Sequence, residues 1–322
     1  VGSQITPEPK KASFPRIGLL DTARGLALLA MASYHFTWDL EFFGYIEQGT
    51  AVTGPWKIYA RCIASTFLFL VGFSLVLAHA DGIRWRSFGK RFAQIAIAAA
   101  LISVATYFVM GDGWIYFGIL HGIALMSLFA LPFLRLPVVI TGLAAIASVA
   151  LPFYGKSPLF DHAFFWWLGL SETLPRSNDY VPLFPWFGAV LAGVAVARLS
   201  ARFGLLERLA NVAAGPRLLA LAGRHSMAFY LIHQPVLISL VYLASIMAPP
   251  PPPDRAAEYR RSCQQSCVAG GSPIGFCTSF CGCTLDKLQT GNLLEPLQSG
   301  TIIATQDDRV LKLARECTIA SQ

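Results

Sequence analysis

Between Ile17 and Ala248 the chain is a succession of apolar runs, most of them about twenty residues long, the length an α-helix needs to cross a bilayer. Only 13% of the residues are charged, whereas a soluble domain carries about a quarter. Seven runs stand out: about Ile17–Leu40, Ile58–Ala80, Phe92–Met110, Trp114–Leu134, Leu136–Tyr154, Val181–Leu199 and Arg224–Ala248. The pattern predicts an all-α polytopic membrane protein. The loop after the fifth run carries Phe164-Phe165-Trp166-Trp167, too short to span and expected at the interface.

Lys and Arg collect on the cytoplasmic side of membrane proteins. Here they cluster at Lys10, Lys11 and Arg16, at Arg84, Arg86, Lys90 and Arg91, and at Arg198, Arg202, Arg208 and Arg217. The segments Asp39–Lys57 and Lys156–Asp179 are net negative. Seven spans with the N-terminus inside put the C-terminus outside. Ala30-Met31-Ala32 resembles a signal-peptide cut site, but Asp21 and Arg24 inside the run argue against cleavage. The net charge of +7 lies on the membrane part, because seven basic and seven acidic residues balance from Asp254 onward. Topology accounts for it. No basic stripe on a soluble face suggests nucleic acid, and no inverted pair of broken helices suggests a transporter.

The organisation follows: a cytoplasmic tail over 1–16, a membrane domain over 17–248, a proline spacer over 249–253 and a polar Cys-rich domain over 254–322, periplasmic or extracellular. The spacer is stiff and extended. Six of the seven cysteines lie beyond it: Cys263, Cys267, Cys277, Cys281, Cys283 and Cys317. An even count in an oxidising compartment favours disulfides. Two Cys-x3-Cys units on short helices, Tyr259–Val268 and Phe276–Leu288, each place a pair on one face. An antiparallel hairpin would join Cys263 to Cys281 and Cys267 to Cys277, leaving Cys283 for Cys317. Other connectivities are open, and a zinc site is the alternative. Cys62, inside the second run, is expected to stay unpaired.

Polar residues inside apolar runs carry the chemistry. Arg24 and His35 lie eleven residues apart in the first run, on nearly the same face and roughly 16 Å apart along a helix axis. A charge at that depth faces the bundle interior. Asp39, four residues beyond His35, shares its face and would orient the imidazole as a carboxylate does in a hydrolytic triad. Asp21 pairs with Arg24 at i,i+3. Arg61 and His121, counted from helix ends, reach the layer of His35; His121 would lie about 10 Å below Trp114. Each has a plainer reading: Arg61 snorkelling to headgroups, His121 bonding between helices, and His233 relieving the backbone near Pro235. His225 beside Arg224 reads as topology. A desolvated histidine stays neutral and serves as general base toward a hydroxyl or amine. An arginine nearer the cytoplasm meets an anionic co-substrate.

The spacing Arg24-x10-His35 resembles the first-helix signature of integral-membrane acyltransferases. The fuller strings are Leu20-Asp21-Thr22-Ala23-Arg24-Gly25, Tyr34-His35-Phe36 and Trp38-Asp39-Leu40. With Ser65-Thr66-Phe67-Leu68-Phe69-Leu70-Val71-Gly72, Tyr116-Phe117-Gly118-Ile119-Leu120-His121, Pro182-Leu183-Phe184-Pro185-Trp186, Gly223-Arg224-His225-Ser226 and Tyr230-Leu231-Ile232-His233-Gln234-Pro235, they resemble one branch. That branch is the bacterial relatives of the heparan-α-glucosaminide N-acetyltransferase catalytic domain, over about residues 15–245. The resemblance implies acetyl-CoA from the cytoplasm, a sugar acceptor on the far side and an essential histidine. The animal enzyme has a Gln-Arg pair where His121-Gly122 stands here.

The expectation is a plasma (inner) membrane acyltransferase without a metal, its partners acyl-CoA, membrane lipid and a glycan or small-molecule acceptor. His35 is the expected base, with Asp39 orienting it. Arg24 and Asp21 belong to the CoA side, and Arg61, His121 and Trp38 to the acceptor. A membrane scaffold or small-solute transporter is the rival, and it needs no acyl-CoA.

Overall fold

The computed structural model describes residues 16–173, 175–252 and 254–321, so the expected tail, apart from Arg16, lies outside the described residues. The chain divides into two compact units, Val1–Ala248 and Pro249–Gln322. Both are helical, and among the described residues the one extended pairing is an isolated parallel bridge between Phe117 and Tyr180.

The first unit contains α1 (Gly18–Phe42), α2 (Gly54–Ala78), α3 (Trp85–Met110), α4 (Ile119–Ala130), α5 (Val138–Tyr154), α6 (Leu183–Arg202), α7 (Leu205–Asn211), α8 (Arg217–Arg224) and α9 (Ser226–Met247). Among the described residues four helices are long and apolar enough to cross a membrane: α2, α3, α6 and α9. Helix α1 has 25 residues but carries charge, and α4 and α5 have 12 and 17. Apolar side chains also point outward, Leu101, Phe108, Leu240 and Leu243 among them, as a hydrocarbon surrounding favours.

The helices meet where side chains are absent. A Cβ at Gly72 of α2 would stand 1.9 Å from the Val190 carbonyl oxygen of α6, and one at Gly193 of α6 would stand 2.1 Å from that of Phe69. The α1–α8 crossing repeats the device: a Cβ at Gly25 would stand 2.0 Å from the Leu219 oxygen, and one at Gly223 would stand 1.8 Å from the Asp21 oxygen. Small residues at both partners let helix backbones touch, the usual route to dispersion contact in a membrane. Leu68, Met126, Val190, Leu191 and Val194 form the fully buried centre around α2, α4 and α6.

The apolar run Trp114–Leu134 predicts one continuous span, and the structure departs from it. Gly111–Gly113 is a 3-10 turn, and α4 begins only at Ile119. The residues between lie against the segment 177–181. Asn178 N donates to Gly113 O at 3.0 Å, Val181 N to Phe117 O at 3.1 Å and Ser177 Oγ to Trp114 O at 3.1 Å. These bonds replace the helical ones that the apolar pattern implied. The basic segment expected as a loop after the sixth run instead holds α7 and α8. Helix α3 starts early enough that Arg86, Lys90 and Arg91 are helical.

The second unit contains α10 (Arg255–Ala269), α11 (Ile274–Thr290), α12 (Leu294–Gln298) and α13 (Asp308–Ala320). Its disulfides are Cys263–Cys281, Cys267–Cys277 and Cys283–Cys317. The hairpin pairing is the expected one, and it leaves no thiolate for the zinc alternative. Cys62 is free and exposed. The core is small, built from Leu285, Leu288, Leu293, Leu294, Val310 and Leu313. A domain of this size gains its stability from cross-links, each worth typically 2–4 kcal/mol. They fit an oxidising, extracytoplasmic compartment.

Candidate active site

Helix α1 carries a polar cluster at each end of an apolar middle. At its start the Asp21 carboxylate is 6% exposed and fully engaged. Arg16 donates to Oδ2 from Nε at 3.1 Å and Nη2 at 2.9 Å, Arg24 donates to Oδ1 at 3.1 Å, and Arg224 of α8 stands at 3.8 Å. The other arm of Arg24 donates to Ser74 Oγ of α2, which in turn donates to the Leu70 carbonyl. The α1–α8 glycine crossing brings Arg224 here.

Ser74 opens onto a cavity of about 230 Å³ between α2, α3 and α4. His79, Arg84, Ser87, Arg91 and Ser127 give it a polar, cationic wall, and Leu75, Phe88 and Phe92 give it an apolar one. Arg91 is near enough to Arg24 for the two charges to repel. Beyond the end of α2, burial and then the nearby Arg84 and Arg91 hold His79 below its ordinary range. The cavity therefore favours an anion. The basic run Arg84–Arg91, read from the sequence as a topology signal, supplies that charge. Arg24, expected to do so, is largely neutralised by Asp21 and reaches the cavity through Ser74.

At the far end of α1, Asp39 is completely buried. It does not orient His35. Its Oδ1 accepts from Gln234 Nε2 of α9 at 2.7 Å, and its Oδ2 has no partner. The reason is the packing of α9 along this part of α1, which turns Gln234 toward the carboxylate. The ring that meets His35 is also from α9: the centroids of His35 and His233 are 5.1 Å apart at 63°. His233 Nδ1 donates to the Tyr230 carbonyl at 2.7 Å. Its Nε2, Gln234 Oε1 and Asp39 Oδ2 are buried without partners. Tyr34 lies edge-on to His35 at 5.6 Å.

The other expected residues are placed differently. Trp38 stacks on Phe42 at 5.3 Å, and Arg61 is exposed on α2. His121 lies in the first turn of α4, not two turns below Trp114, because the helix starts late. Its Nδ1 accepts from Gly118 N at 3.3 Å, and its Nε2 meets Ser103 Oγ of α3 at 3.3 Å. Both ring nitrogens are engaged in holding the start of α4. The same turn is capped by Asp179, whose Oδ2 accepts from Ile119 N at 2.9 Å. Burial pushes this carboxyl up to about 6, against the opposing pull of the Ile119 N–H. Its charge is felt at Tyr34 and Tyr230.

The sequence reading missed His233 and Gln234 as partners of His35 and Asp39. The signal available was two adjacent polar residues before Pro235 inside an apolar helix, which a proline-relief reading absorbed.

The family model described as heparan-alpha-glucosaminide N-acetyltransferase, catalytic, matches residues 16–235. That stretch holds both polar ends of α1, the cavity wall, and α9 as far as Pro235. No curated protein and no solved structure matches the chain.

Proposed function

The chain belongs to the heparan-alpha-glucosaminide N-acetyltransferase catalytic family, and from that premise we propose that it moves an acetyl group from acetyl-CoA across the membrane. The acceptor is a sugar amine or hydroxyl of an envelope glycan. The observation that supports this most is α1, one helix that reaches a cationic cavity through Arg24 and Ser74 at one end and pairs half-buried His35 with buried His233 at the other. CoA carries its phosphates at one end and its thioester at the other. The phosphates sit against Arg84, Arg91 and the Arg24–Ser74 pair, and the pantetheine arm follows α1 toward His35.

At the thioester the acceptor nitrogen or oxygen attacks the carbonyl carbon. His35 takes the acceptor's proton, the C–S bond breaks, and the proton passes to the departing CoA sulfur. A general base of this kind contributes typically 10²–10⁴-fold. Asp39 Oδ2 accepts from a second acceptor N–H or O–H. Trp38 and Arg61 contact the sugar. In this reading seven helices cross the plasma membrane, α1, α4 and α5 included. The N-terminus is cytoplasmic and the Cys-rich domain external, so reporter fusions after Ala248 are active only outside the cytoplasm.

The test is acetyl-CoA binding and thiol release by the full chain in lipid nanodiscs, with glucosamine and neutral hexoses as acceptors. Bound acetyl-CoA, lost on joint Arg84→Ala and Arg91→Ala substitution, with thiol release that requires an acceptor, is expected. Neither binding nor release would return the protein to the class of membrane scaffolds.

A further inference from the structure

We propose that His233 is the positioning residue for His35, accepting the ring N–H of His35 and sharing the charge that His35 acquires when it takes the acceptor's proton. The proposal rests on the acetyl-transfer reading and adds to it the group that a hydrolytic triad would supply as a carboxylate.

The argument begins with the hydrogen bond of His233 to the backbone. A carbonyl oxygen only accepts, so the Nδ1 that lies 2.7 Å from Tyr230 O carries the hydrogen. In the neutral ring Nε2 then bears the lone pair. That atom is buried without a donor, on a side chain only 8% exposed. A buried acceptor left unmatched costs about 1–3 kcal/mol and calls for a reason. Phe229, stacked on His233 at 6.1 Å and 9°, and Tyr230, at 5.7 Å, hold the ring plane. The His35 ring stands 5.1 Å away at 63° without a hydrogen bond to Nε2, and a turn of the ring brings one of its N–H groups within reach of that lone pair.

Asp39 does not take this part: its Oδ1 is committed to Gln234, its Oδ2 is given to the acceptor in the transfer reading, and the ring that His35 meets is that of His233. His121 cannot either, because both its nitrogens are engaged elsewhere. His233 is the group beside His35 with a fixed tautomer and a free lone pair. In the reaction the acceptor's proton goes to one nitrogen of His35, whose other N–H is then donated to His233 Nε2. The proton leaves His35 for the CoA sulfur, and both rings end neutral.

The experiment compares wild type, His233→Ala and His233→Gln as full chains in nanodiscs. The Gln oxygen reaches the place of Nε2 and accepts a hydrogen bond. His233→Ala is expected to lower kcat about 100-fold, near the low end of general-base effects, with KM for acetyl-CoA and acceptor unchanged. His233→Gln is expected to recover about tenfold of that loss, one imperfect hydrogen bond being worth roughly 1.4 kcal/mol. An unchanged kcat in His233→Ala, a loss confined to KM, or no recovery with Gln overturns the proposal. Solid-state 15N spectra of histidine-labelled protein decide the geometry without turnover. They should show His233 protonated at Nδ1 and a His35 signal that moves in His233→Ala. A proton on His233 Nε2, or a His35 signal indifferent to His233, sinks the pairing. If no acceptor releases CoA from the wild type while the 15N result holds, the transfer reading fails and the histidine pair stands.

Discussion

The two ends of α1 each bury an aspartate, and the two aspartates are treated in opposite ways. Asp21 is saturated: three arginines from α1, its approach and α8 surround it. Asp39 has one bond, to Gln234, while its own Oδ2, Gln234 Oε1 and His233 Nε2 have none. Buried polar groups are normally satisfied, and native structures keep few exceptions. The saturated end therefore reads as an anchor that fixes α1 against α8. The unsatisfied end reads as a surface waiting for the hydrogen bonds of a substrate. The difference teaches where to look for chemistry: not at the larger cluster of charge, but at the cluster left incomplete.

Substitutions can break this contrast, and the largest effect belongs to His35. His35→Ala should lower acetyl transfer by 10²–10⁴-fold, the range of a lost general base. Its thermal unfolding should stay near that of wild type, because the ring makes edge contacts without anchoring a helix. Equal losses of activity and stability would mean that both ends of α1 are structural. Asp21→Asn tests the anchor. It leaves the largely buried Arg24 without its counter-charge, while the more exposed Arg16 and Arg224 stay solvated, and the loss is expected at roughly 1–3 kcal/mol. A drop in melting temperature is expected, with residual activity proportional to the folded fraction. Stability unchanged in Asp21→Asn would remove the anchor from the argument.

Asp39→Asn should show the reverse profile. The Asn carbonyl still accepts from Gln234, so stability should move by less than about 1 kcal/mol. Turnover should fall about tenfold, one charge-assisted hydrogen bond to the acceptor being worth roughly 1.5 kcal/mol or more. Steady-state kinetics beside calorimetry separates the two profiles. The smallest effect concerns pH. Asp179 has a folded value of about 6, above its ordinary 3.8. The folded state then binds more protons than the unfolded state between these values, so this group's contribution to stability falls as pH rises from about 4 through 6. Asp179→Asn keeps an acceptor for Ile119 N–H and removes the titration. The variant should flatten the pH dependence of melting in that window, and an identical slope in both proteins would show that Asp179 is not held protonated.

Several features were legible because they are written in neighbouring residues. The Cys-x3-Cys spacing sets each cysteine pair on one helix face, and a hairpin then allows little choice of partner. The eleven-residue spacing of Arg24 and His35 places both on one stripe of α1 whatever surrounds it. Other features were not legible. The run Trp114–Leu134 has the apolarity of a span, yet its first part pairs with residues 177–181, some sixty positions away. Arg84 and Arg91 read as topology until α3 carried them to a cavity whose other walls come from α2 and α4.

By itself the sequence determined the helical class, the polar ends of α1 and the framework of cysteines. Each of these rests on periodicity or spacing within a few turns, where backbone geometry alone sets which side chains share a face. Only the tertiary structure decided that α8 locks the Asp21 end, that Gln234 rather than His35 meets Asp39, and that His233 faces His35. These depend on the rotation at which α9 and α8 pack on α1. Interhelix packing over the whole unit sets that rotation, with Gly25 and Gly223 permitting the closest approach at the α8 crossing. A one-residue rotation of α9 would present Ile232 in place of His233, and nothing local to either helix forbids it.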